Sequence, residues 1–144
     1  MPPAAQLRRY APHRGRAVAR AAAWLGRSYP PGWCLRWAAY EIYGVPPHAV
    51  DAVAYWASAA ARGHVTRTRS ARRSRVIPPG ALVLWTGGDH GHAAIMAADG
   101  RHVYTTDLPT RSRIGLVPIE AIHDQWGYNL AGWISVDGHG WVLT

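Results

Sequence analysis

The chain has 144 residues and a mass of 15.8 kDa, the length of one ordinary domain and enough to bury a core without disulfide or metal staples. Its 49% apolar and 17% charged content excludes disorder, and no apolar run approaches the roughly 18 residues that a membrane-spanning helix needs. All 16 basic residues are arginines and face only eight acids, so the charge of +8 calls for an anionic partner, while the single cysteine excludes an internal disulfide and any multi-cysteine metal site.

The first 14 residues or so read as a tail. They are basic but lack the apolar stretch and small-residue cleavage site of a secretory signal, so none is expected. Arg16 to Leu25, Ala-rich and closed by Gly26, predicts a first helix, and Tyr29-Pro30-Pro31-Gly32 breaks the chain. Trp37, Ala38 and Ile42 then recur behind Cys34 at spacings of three, four and eight, one buried stripe of a second helix that ends by Gly44-Val45-Pro46-Pro47. Val50, Val53, Ala54 and Ala57 repeat the pattern up to Gly63. Residues 66–75 hold five arginines and predict a solvated loop between a helical half and a sheet half. The runs ALVLWT (81–86), HAAIMAA (92–98), HVYTT (102–106) and LAGWISV (130–136) predict strands of one antiparallel meander, with a short helix over Pro118 to Gln125. Helices followed by such a sheet make an α+β domain.

Within this order Cys34 falls in the first turn of a helix, where unpaired backbone N–H groups and the macrodipole favour a thiolate. A cysteine nucleophile needs an imidazole to move its proton and a third polar group to orient that ring. The two-residue turn Asp99-Gly100 selects one of the eight histidines. Closing it pairs Ala98 with Arg101, so opposed residues sum to 199 and His92 lies across from Asp107, with Cβ atoms about 4.5–5.5 Å apart. Trp37, Trp56 and Trp85 are expected in the core, whereas Trp33, beside the cysteine, is a candidate for a substrate groove.

In order along the chain, GWCLRW (32–37), DAVAYW (51–56), PPGALVLW (78–85) and GHAAIM (91–96) resemble the CHAP family of cysteine, histidine-dependent amidohydrolases and peptidases, over about residues 16–136. The resemblance implies a papain-like α+β fold with Cys34 as nucleophile, His92 as general base and acid, and an acid on the following strand, where Asp107 stands, as orienter. It implies a peptidoglycan hydrolase that needs no cofactor or metal and cuts an amide bond, as an amidase or an endopeptidase. Many members carry an asparagine two residues after the acid. Here that position is Pro109, and Asn129, the only asparagine, is the candidate to fill the gap. A phage lysin that reaches the wall from the host cytoplasm through a holin, or on a virion tail, is the expected setting, with anionic wall polymers as further partners of the basic surface.

Two other readings stay open. His90-Gly91-His92 puts two imidazoles on one face of a strand, and with His48 and Asp51 they could form the zinc site of a wall endopeptidase, although that reading gives Cys34 no task. The chain could also be a non-catalytic basic module binding wall polymer or nucleic acid, a reading supported by charge alone.

Overall fold

The computed structural model describes residues 13–44, 51–73 and 77–134. Helix α1 (His13–Trp24) is followed by α2, helical from Cys34 and π-helical over Arg36–Ile42, and by α3 (Ala52–Ala61). The strands are β1 (Val65–Arg67), β2 (Leu82–Thr86), β3 (His92–Met96), β4 (His102–Thr106) and β5 (Ile114–Pro118). Helix α4 (Ala121–Trp126) leads into β6 (Asn129–Ile134). The N-terminal tail up to Pro12, His48, Val50 and the end of the arginine-rich loop fall outside the described residues.

The architecture is α+β: helices precede one six-stranded antiparallel sheet of order β1-β6-β2-β3-β4-β5. Strands β2, β3 and β4 follow one another as the expected meander, which continues into β5, whereas β6, expected as its last strand, returns to pair with β2 and carries β1 on the outer edge. Two strands depart from the expected plan. The segment Val65–Arg67, whose last two residues fall in the 66–75 stretch read as loop, pairs by its backbone with Gly132–Ile134. The segment Ile114–Pro118 pairs with β4 along its whole length. Its Gly115 looks like a breaker but permits a close approach, because a Cβ there would lie 1.8 Å from the Leu108 carbonyl oxygen.

Alternation along the strands gives the sheet two covered faces, which is why LVLW of β2 is buried without a break. Leu82, Leu84, Ala93 and Ile95 share one core with helices α1 to α3 through Ala21, Trp37, Ile42 and Trp56. Val83, Trp85, Ala94 and Met96 form a second core with Ile122 of α4 and Leu130. The three tryptophans expected in the core are there: Trp37, Trp56 and Trp85 are all buried.

Candidate active site

Cys34 and His92 reach one cleft from two layers. The Trp33 carbonyl accepts the Trp37 N–H (3.0 Å), so α2 begins at Cys34, whose own N–H has no acceptor within the helix. His92 is the first residue of β3. It follows Gly91, whose backbone has φ +68 and where a Cβ would sit 2.5 Å from the Trp85 carbonyl oxygen and 2.8 Å from Val53. Only glycine lets the turn before β3 pack on the start of α3, where the Val53 N–H donates to the His90 carbonyl (3.0 Å).

The cleft has a volume of about 1160 Å³, and its lining includes Cys34, His92, Asp107 and Trp33. Its size suits an extended ligand rather than a single small molecule. Trp33 is 51% exposed beside Cys34, and the Arg36 guanidinium lies over both its ring (5.1 Å) and that of Tyr40 (5.7 Å), forming one cationic and aromatic wall. Trp126 and Tyr128 form the other: the Trp126 indole stands edge-on to the His92 imidazole at 4.9 Å and tilts against Tyr128 at 5.6 Å.

The hairpin register follows the sum of 199, with Ile95 opposite Tyr104 and Met96 opposite Val103. Asp107 nevertheless does not hold the His92 ring. Strand β4 ends at Thr106, Asp107 turns into the left-handed region (φ 66), and its carboxylate points at backbone instead. Oδ2 accepts the Gly32 N–H (3.1 Å) and Oδ1 the Ser112 N–H (2.7 Å), so Asp107 ties the loop before Cys34 to the β4–β5 connection. The partner of His92 is Thr105, whose Oγ1 lies 2.6 Å from Nε2. That hydroxyl donates its one proton to the Thr106 carbonyl (3.0 Å), so it accepts from the imidazole. With the hydroxyl proton on that carbonyl, Nε2 donates to Thr105 and Nδ1 is the basic nitrogen; the other tautomer reverses the two roles.

Cys34 and His92 are both uncharged at neutral pH. Burial pushes the Cys34 thiol up to about 11, and the Asp107 charge adds to it against backbone hydrogen bonds from Ala93 and Leu35. Desolvation lowers His92 to about 3. The thiolate expected from the helix terminus is thus overruled by burial, since a neutral histidine supplies no compensating charge.

Of the remaining candidates, Asn129 starts β6 opposite Thr86 and is exposed, outside the cleft lining, while its neighbour Tyr128 lines it. Asp51 caps α3, its Oδ1 accepting the Ala54 N–H (2.8 Å), and its Oδ2 lies 2.8 Å from His90 Nδ1. That hydrogen bond raises the His90 pKa and lowers that of Asp51. His90 and Asp51 are thus engaged with each other, and among the described residues no three His, Cys, Asp or Glu side chains converge as metal ligands. Thr105 and Trp126 escaped the reading of the sequence. The parity that put Asp107 on the His92 face puts Thr105 there too, one diagonal step away, and was the available signal. No protein-family model, curated protein or solved structure matches the chain.

Proposed function

We propose that the chain is a cysteine-dependent hydrolase of amide bonds in bacterial cell-wall peptides, a CHAP-like peptidoglycan amidase or endopeptidase of the kind phages use as lysins. The observation that carries this reading is the joint presence, in one cleft, of a cysteine at a helix start and a buried histidine whose ring is held at Nε2 by the Thr105 hydroxyl. In the proposed reaction Cys34 Sγ attacks the amide carbonyl as its proton passes to His92 Nδ1. His92 then protonates the leaving amine, and water, losing its proton to the same nitrogen, releases the acid from the thioester. The Cys34 N–H is one donor to the oxyanion. Thr105 holds the imidazole, Asp107 holds the Gly32 to Cys34 loop, and the Trp33 and Trp126 walls receive the substrate.

Turbidity loss of purified actinobacterial walls tests the proposal, comparing wild type with Cys34→Ala, each with and without a zinc chelator. Lysis by wild type in both conditions and by the variant in neither is the expected outcome. Lysis by the variant that stops with chelator would move the chemistry to a metal at His90 and His92. Wall binding with no lysis in any arm would make the chain a binding module.

A further inference from the structure

A second cavity, of about 1040 Å³, lies at the other end of the sheet. Strands β4, β5 and β6 all have one end at the catalytic cleft and the other at this groove, which is lined by His102, Pro118 and Trp133. From His102 to Asp107 is five residues of strand, about 17 Å at ~3.3 Å per residue, so the two sites are separate. Arg67, Arg69, Arg73 and Arg101 line the groove against a single acid, Glu120.

The groove is built rather than a chance gathering of loose arginines. The loop after β1 is anchored by the bidentate pair of Arg72 with Asp124 of α4 (2.8 and 2.9 Å) and by the Thr68 hydroxyl donating to the Leu130 carbonyl (2.9 Å). Its backbone also holds β6, where the Leu130 N–H donates to the Ala71 carbonyl (2.7 Å). Ser70 Oγ accepts the N–H groups of Arg72 and Arg73 (3.3 Å each), closing the turn. The anchor uses Arg72, and the Arg67 guanidinium lies over the Trp56 ring (5.6 Å). Arg69, Arg73 and Arg101 are exposed and have no ion-pair partner among the described residues. Three guanidinium forks on an anchored loop and turn, in a groove also lined by the Trp133 indole, fit a chain of phosphates spaced by small polyols. A single-stranded nucleic acid would need a run of stacking rings, and among the described residues Trp133 is the only aromatic ring besides His102 in the lining.

We propose that this groove binds a phosphodiester-linked wall polymer and holds the enzyme on its substrate. The proposal rests on the wall-hydrolase reading for the identity of the polymer, but its test reads binding alone. Sedimentation with intact walls, and with walls stripped of phosphate polymers by hydrofluoric acid, would be measured for wild type and for Arg69→Gln/Arg101→Gln. A control, Arg16→Gln/Arg62→Gln, removes equal charge from the helical layer. Wild type and control are expected to bind intact walls at least tenfold better than stripped walls. The groove variant is expected to bind both alike, with an unchanged melting temperature. Equal binding of wild type to both walls, or groove and control variants that lose affinity equally, would overturn the proposal. Tighter binding to single-stranded DNA than to intact wall would reassign the groove to nucleic acid. Turnover of a soluble wall-peptide fragment, expected to be the same in the groove variant and wild type, separates the two proposals: a wild type that binds but cuts nothing would sink the hydrolase and leave the groove standing.

Discussion

At His92 a neutral hydroxyl occupies the position where a carboxylate was expected, and the difference has consequences for both rate and stability. Thr105 can orient the ring but offers no charge to an imidazolium, in keeping with a resting pair of thiol and neutral imidazole. Losing one buried hydrogen bond that matters mainly in the transition state costs about 1.5–3 kcal/mol, roughly 10- to 100-fold in rate. Thr105→Val should therefore lower kcat by that factor with KM nearly unchanged, and Thr105→Ser should restore most of it. A KM effect of equal size, or no rescue by serine, would assign Thr105 to packing alone. The same burial ties stability to pH. The folded His92 stays neutral down to about 3, whereas in the unfolded chain it gains a proton below about 6.5, so its contribution is complete above 6.5 and is lost as pH falls towards 3. Between pH 7.5 and 5 the wild type should lose about 2 kcal/mol more than His92→Gln, measured by urea unfolding at both pH values. Parallel losses in the two proteins would show that the histidine is solvated.

Elements with a strong internal pattern were legible in the sequence, and those made by contact were not. The three N-terminal helices, four of the strands and α4 follow from apolar spacing and from Gly and Pro punctuation, and the β3–β4 register follows from the Asp99-Gly100 turn. The sheet register did not decide the orienting residue, because it says nothing of where a strand stops: at Asp107 the backbone turns over and the carboxylate leaves the sheet. Strand β1 carries no apolar alternation and exists through its pairing with β6. Strand β5 is assigned no element from the sequence, and its glycine is required because the Leu108 carbonyl lies against it. That contact makes the element testable. A methyl group at Gly115 must displace backbone rather than a flexible side chain, so Gly115→Ala should destabilise by about 2–4 kcal/mol, and the disturbed Leu108 segment, following directly on Asp107, should lower activity as well. Gly15→Ala is the control. It lies within α1 with nothing inside 4 Å of a new Cβ, and should be neutral or stabilising by up to about 1 kcal/mol. Equal melting temperatures for the two variants would place β5 farther from the 108–109 loop than its backbone pairing requires.

Across the whole molecule the excess of positive charge is divided unevenly between the two ends of the sheet. Among the described residues, Arg36 and Arg111 in the Cys34–His92 cleft are matched in number by Asp51 and Asp107, whereas the far groove sets four arginines against one glutamate. A nearly neutral cleft should take its substrate by shape and aromatic contact and respond little to salt. A groove that engages phosphates releases counterions, and three contacts lose roughly tenfold or more in affinity between 50 and 200 mM salt. On this division, raising salt over that range should increase KM for intact walls by about tenfold while leaving kcat unchanged. The kinetics on a soluble wall-peptide fragment, too small to span the roughly 17 Å between the sites, should stay flat. Arg69→Gln/Arg101→Gln should start at the high KM on intact walls and show little further salt dependence. If salt weakened turnover of the soluble fragment as much as that of the wall, the anionic contacts would belong to the cleft, with Arg36 and Arg111 the guanidiniums to replace next.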